Sequence, residues 1–215
     1  MKATLRFRLA RRLLRILLGA VFRVRAEGLD RLPAAGPYLV ACNHLNWVDP
    51  FILIGWLPAN PRLHFLGKRS AIYNRALKRW IIGFIGGVIP VESGDLEHLS
   101  AAIADVLGRG GLVGIFPEGG VGPTEGRLQG LRHGIAHFCL RNHAPVVAAG
   151  LAGTSELWRG KEIRLRVGQT VSPDSTGSVE ASMAAVEAAL REALPALQPP
   201  GSGPRPWPWL THLLR

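Results

Sequence analysis

Tyr38-Leu39-Val40-Ala41-Cys42-Asn43-His44-Leu45-Asn46-Trp47-Val48-Asp49-Pro50 is the stretch that decides how the chain folds. Its first five residues are predominantly apolar and follow Gly36-Pro37, which predicts a short buried strand. Phe51 to Leu57 is apolar again and opens after Asp-Pro, which predicts a helix with Asp49 at its N-cap and Pro50 at the first helical position. His44 then stands where a strand ends, in the crevice where open α/β sheets place ligands. A strand-to-helix turn folds the Asp49 carboxylate back toward the imidazole. A carboxylate on one ring nitrogen fixes the tautomer and leaves the other nitrogen to take a proton. The competing reading is a helix-capping Asp49 beside a packed core histidine, and the pair alone does not separate the two.

Outward from this stretch, strands alternate with helices. Val21 to Ala26 reads as a first strand, and Gly28 to Gly36 as a turn-rich connector. Leu63 to Gly67 is a strand, followed by Lys68-Arg69 and a basic helix to about Trp80. Lys68, just past a strand end, is the cation of that patch best placed to touch a ligand. Gly86 to Val91 is the next strand; Asp95 to Leu107 has helical spacing at Leu96, Leu99, Ile103 and Leu107, with Gly108 as its stop. Gly111 to Phe116 is a buried strand that runs into Pro117-Glu118-Gly119-Gly120. The following loop carries Gly119, Gly120, Gly122, Gly126 and Gly130, and glycines let backbone N–H groups approach an anion closely. Leu131 to Leu140 is a helix with Arg132 and His133 early in it. Pro145 to Leu151 is a strand, Ile163 to Val167 alternates as a more exposed one, and Val179 to Leu194 is a helix. This order indicates an α/β sheet, with the strand ends at His44, Lys68 and Glu118 on one face.

Composition narrows the function. The chain has 215 residues, 47% of them hydrophobic, which suits a folded domain and excludes wholesale disorder. The two cysteines, Cys42 and Cys139, do not suggest a disulfide framework, so a reducing cytoplasmic setting is expected. No uncharged apolar run reaches membrane-spanning length. The net charge of +11 implies an acidic partner: nucleic acid, an anionic membrane or an acidic carrier protein.

The N-terminal stretch chooses among these. On a helical wheel Arg8, Arg11, Arg12 and Arg15 share an arc about 100° wide. Leu5, Leu9, Leu13, Ile16 and Leu17 form a separate apolar face, extended by Leu14 and Leu18. That pairing of faces is the pattern of a helix lying in a membrane interface, although a helix docked on its own domain shares part of it. The expected organisation is a membrane-association helix over 1–20, one domain over 21–194 and a Pro-rich tail over 195–215. In the tail, Trp207 and Trp209 suit either a second membrane contact or packing on the domain. No nucleic-acid motif appears. Gly67-Lys68 does not complete a nucleotide loop, because Arg62 stands where the first glycine, five positions earlier, belongs. Paired-cysteine and His-Glu-x-x-His motifs are missing, so no metal and no cofactor is expected.

Four blocks, in order, resemble the glycerolipid acyltransferase family, the group of the bacterial 1-acylglycerol-3-phosphate acyltransferases. Asn43-His44…Asp49-Pro50 resembles the first motif, Gly87-Val88-Ile89-Pro90-Val91 the second and Phe116-Pro117-Glu118-Gly119 the third. Pro145-Val146-Val147 with Gly153-Thr154-Ser155-Glu156-Leu157-Trp158 resembles the fourth and its trailing segment. The resemblance spans about residues 20 to 170. It implies a mixed, largely parallel central sheet flanked by helices. It also implies transfer of an acyl chain from acyl-CoA or acyl carrier protein to a lyso-lipid at the cytoplasmic face of the membrane. His44 is then the general base, Asp49 its orienting partner, and Asn43, Glu118, Gly119 and Gly120 border the substrate. Two departures stand out. Gly120-Val121 replaces the Thr-Arg that usually follows the third motif, and Ser93 lies where the second motif ends in arginine. In the family those arginines contact the acceptor's phosphate. Arg127, Arg132 and Lys68 are the candidate replacements; a phosphate-free acceptor such as a lyso-ornithine-type lipid is the alternative. Gly-x-Ser-x-Gly is absent, so direct transfer is favoured over an acyl-enzyme. The other classes that fit are an acyl hydrolase and a non-catalytic basic membrane-binding protein.

Overall fold

The computed structural model describes residues 2–68, 76–91, 96–122, 124–173, 177–196 and 207–213. Among these residues seven strands form one sheet: β1 (Arg23–Glu27), β2 (Tyr38–Cys42), β3 (Leu63–Lys68), β4 (Val88–Val91), β5 (Leu112–Ile115), β6 (Val146–Ala152) and β7 (Glu162–Val171). Their spatial order is β1-β7-β6-β2-β5-β3-β4. Only the β6–β7 pair is antiparallel, so five neighbouring strands run one way and β7 with β1 the other. The expected mixed, largely parallel sheet is the one observed.

The central strands are apolar throughout because both faces are covered, and every residue of β2, β5 and β6 is buried. Tyr38, Val40 and Cys42 point to one layer, and Leu39 and Ala41 to the other. The first layer holds α1 (Leu5–Val21), α2 (Asp49–Trp56) and the last turn of α3 (Ala76–Ile85). The second holds α4 (Leu96–Gly108), α5 (Gly134–Arg141) and α6 (Val179–Ala193). β4 tolerates Pro90 because it is an edge strand, where one row of backbone groups has no ladder to complete.

Some boundaries differ from expectation. α1 runs through Val21, so β1 begins at Arg23. The α1 face that meets the domain is Phe7, Ala10 and Leu18, with Leu14 packed beside them. Leu14 and Leu18 therefore belong to the docked face, while Leu5, Leu9, Leu13, Ile16 and Leu17 remain exposed. α2 starts at Asp49, one residue earlier than expected, with Val48 before it. Asp49 is not a side-chain N-cap: its carboxylate turns away from the helix and binds the preceding loop. Most of the basic helix expected after Lys68, and Ser93, lie outside the described residues.

Close packing shows at glycines. A Cβ on Gly150 of β6 would sit 2.2 Å from the Ala193 carbonyl oxygen at the end of α6. A Cβ on Gly55 in α2 would meet nothing within 4 Å. Gly150→Ala should therefore cost about 1–3 kcal/mol in urea unfolding by overpacking. Gly55→Ala should gain about 0.5–1 kcal/mol, because alanine loses less backbone entropy in a helix.

Candidate active site

The site lies along the carboxyl ends of β6, β2, β5 and β3. These strands are consecutive and parallel, so their ends share one edge of the sheet. Just past β2, Asn43 fastens the turn to β6: its Oδ1 accepts from Leu151 N at 2.7 Å and its Nδ2 donates to Leu151 O at 3.0 Å. Those bonds use its amide for structure and hold His44 at the sheet edge.

The turn then closes on Asp49. One oxygen, Oδ2, accepts from Leu45 N at 2.6 Å and Asn46 N at 2.7 Å, and lies 2.8 Å from His44 Nδ1. Three donors converge on that atom, as an ionised carboxylate requires, so Nδ1 carries the proton and Nε2 is the ring nitrogen left to accept one. Asp49 is wholly buried, whereas 18% of the His44 side chain stays exposed. The turn presents the imidazole and hides its partner.

An aromatic column fixes the ring plane. His44 stacks on Phe116 with centroids 4.1 Å apart and planes 17° from parallel. Phe116 stacks on Phe65 at 5.5 Å. Phe65 reaches this position over Gly114, where a Cβ would lie 2.4 Å from its ring.

Glu118 is buried and bridges two segments. Its Oε1 accepts from His44 N at 3.0 Å and its Oε2 from Gln129 N at 3.1 Å. Gly122 N donates to His44 O at 2.6 Å. The glycine loop thus lies against the backbone of the histidine from both ends. Gly119, at φ +74°, turns that loop beneath Arg132: a Cβ there would lie 2.2 Å from Arg132 Nε and 2.6 Å from Cζ. Arg132 is exposed, and its N donates to Pro117 O at 2.8 Å, which brings it to Gly119 from thirteen positions further along the sequence. Gly120 and Arg127 are exposed on the same loop. Lys68 ends β3, and its side chain lies outside the described residues.

Two supports are not evident from the sequence. Glu125 accepts from Gly153 N and Ser155 Oγ, tying the glycine loop to the segment after β6. It is the one carboxylate between Gly119 and Arg132, which is the signal that points to it. The second support is the C-terminal segment, where α7 (Pro208–Thr211) docks beside the histidine turn. Trp47 Nε1 donates to Leu210 O at 2.9 Å and Asn46 Nδ2 to Thr211 O at 3.3 Å. Trp207 N donates to Leu157 O at 2.8 Å, and Leu157 N donates to Thr211 Oγ1 at 3.0 Å. Residues 207–213 therefore pack on the domain, with Trp209 left 62% exposed.

Cys42 is buried behind this turn. Burial, then the carboxylates of Asp49 and Glu118, push its thiol well above the usual range, which suits a packing residue and not a thiolate nucleophile. Among the described residues no cluster of His, Cys, Asp or Glu is arranged to hold a metal ion.

The family model described as acyltransferase matches residues 23–152, the stretch that contains β1 through β6 and every contact of His44 and Glu118 above. A 1-acyl-sn-glycerol-3-phosphate acyltransferase of Bacillus subtilis (strain 168) is 28% identical over 164 residues, covering 73% of this chain and 77% of that protein. One of Cocos nucifera, with the same name, is 27% identical over 126 residues, covering 58% of this chain and 40% of its own length. The fold is shared with the crystal structure of the 1-acyl-sn-glycerophosphate acyltransferase PlsC from Thermotoga maritima. The TM-score is 0.71 at 16% identity, over 87% of this chain and 78% of that one. A sheet of this topology, with a family match over more than half of its length, makes the chain a member of the glycerolipid acyltransferase family, and so an O-acyltransferase.

Proposed function

We propose that the protein transfers a fatty acyl chain from acyl-CoA or acyl carrier protein to the free hydroxyl of 1-acylglycerol-3-phosphate, with His44 as general base. The observation that carries this reading is the 2.8 Å contact between Asp49 Oδ2 and His44 Nδ1, made by a buried carboxylate with a partly exposed imidazole. His44 Nε2 takes the proton of the acceptor hydroxyl as its oxygen attacks the thioester carbonyl. The tetrahedral intermediate collapses with cleavage of the C–S bond, and the departing thiolate takes the proton back from the imidazolium. Asp49 stabilises the imidazolium in between.

A phosphate-bearing acceptor is favoured by the placement of Arg132. Its guanidinium lies over Gly119, beside the two positions where Gly120-Val121 replaces the family's Thr-Arg. A cation lost from the motif at Val121 is thus supplied from eleven positions downstream. Arginine suits this task because its planar fork matches phosphate oxygens.

The same reading puts the protein on the cytoplasmic face of an anionic membrane as a peripheral protein. No helix among the described residues is long and apolar enough to cross a membrane. Support comes from α1, where Leu5, Leu9, Ile16 and Leu17 are each more than half exposed beside an arginine face. An apolar stripe left bare on a docked helix, next to cations, fits a lipid interface.

Three outcomes test the catalytic reading in a mass-spectrometric transfer assay with mixed micelles. His44→Ala should lower turnover by about 10²–10⁴-fold or more while the circular dichroism spectrum stays unchanged. Arg132→Gln should raise KM for 1-acylglycerol-3-phosphate by about tenfold or more, the worth of a charge-assisted hydrogen bond, and leave transfer to a phosphate-free lyso-lipid unaffected. If wild type transfers only to the phosphate-free acceptor, the proposed substrate is wrong. Glu118→Gln should cost about 1–3 kcal/mol in urea unfolding, because the amide nitrogen cannot accept the second backbone N–H.

A further inference from the structure

α1 carries more than an apolar stripe. Between its arginine face and the connector after α2 lies an open cleft of about 520 Å³, lined by Arg8, Arg11, Arg12, Arg15, Ile16 and Ala59. The first carboxylate in the sequence is Glu27. Among the described residues, none of the four arginines pairs with an acid. Two of the cations are held in place. Arg11 donates from Nε to Ile54 O at 2.9 Å and from Nη2 to Leu57 O at 2.7 Å, and the Arg15 guanidinium lies 5.5 Å from the Trp56 ring centroid. Burial, and then the charge of Arg15, lower the pKa of Arg11 from its ordinary value.

Ile16 belongs both to the cleft wall and to the exposed apolar stripe. A ligand that satisfies both surfaces needs an anionic group joined to hydrocarbon. A soluble nucleotide would use the arginines and leave the stripe bare, whereas a lipid in a bilayer meets both at once. We propose that the cleft is a headgroup site for a lipid phosphomonoester, separate from the reaction centre. α2 sets the separation: Arg11 caps its last carbonyls, Asp49 is its first residue, and a helix of eight residues spans about 12 Å. A monoester phosphate carries about −1.5 to −2 charges near neutral pH, against one for a diester. Arginines without a counter-acid favour the monoester, whose three oxygens accept forked donors. This site rests on the membrane reading of α1 above, and the product of the proposed reaction carries the headgroup it would bind. The lyso-lipid acceptor carries the same headgroup, so the site would retain the enzyme on membrane that holds either its substrate or its product.

The test is sedimentation with phosphatidylcholine vesicles containing either phosphatidic acid or phosphatidylglycerol, adjusted to equal surface charge. Wild type should bind the phosphatidic acid vesicles roughly fivefold more tightly, the order expected when about one further arginine–charge contact forms at the surface. Arg8→Gln combined with Arg12→Gln, both at exposed positions, should bring that ratio to about one, while His44→Ala should keep it. An equal affinity of wild type for both vesicles overturns the site and leaves membrane association standing. A preference that survives the double substitution also overturns it, because it would locate the selectivity elsewhere. Binding of wild type to neither vesicle overturns the membrane reading along with the site.

Discussion

One oxygen of Asp49 holds the centre of this protein together. Removing a carboxylate from water costs several kcal/mol unless donors replace the lost hydration. Here Leu45 N, Asn46 N and His44 Nδ1 all do so on Oδ2. The same atom therefore closes the turn after β2 and selects the tautomer of the histidine. Loss of any of the three donors would weaken the other two, because each depends on the geometry of a turn only a few residues long.

The remaining parts act by restricting that turn. Asn43 ties its start to β6, Glu118 and Gly122 hold the His44 backbone from the glycine loop, and the C-terminal segment binds Asn46 and Trp47. The ring itself rests on Phe116, which rests on Phe65 over a glycine. Transfer between two bound substrates requires a base held in place before either arrives, and the tolerance is well under an ångström. Anchors from four separate parts of the sequence supply that rigidity, while the loop beyond Glu118 carries exposed Gly120 and Arg127, with Arg132 exposed beside it.

The sequence reveals the parts of this design that are local. β2, β5 and β6 are legible because strands covered on both faces are continuous apolar runs. The His44–Asp49 pair is legible because both members belong to one strand-turn-helix unit. Its geometry is less so: Asp49 reads as a helix cap by its place before Pro50, yet its oxygen serves the loop behind it. Contacts between distant segments leave no local trace. Nothing near Glu125 announces Ser155, and nothing near Trp47 announces Leu210. The faces of α1 show the same limit, since Leu14 and Leu18 look like members of the bare stripe until the packing of Phe7 and Ala10 shows which side meets the domain.

The most direct measurement of the central claim is the tautomer of His44, read by ¹⁵N–¹H correlation NMR of the labelled imidazole at a pH where it is neutral. The contact with Asp49 predicts a proton on Nδ1 and a bare Nε2, with that preference lost in Asp49→Ala. A proton on Nε2 in the wild-type protein would contradict it, because the nitrogen assigned to the acceptor hydroxyl would then have no lone pair to offer.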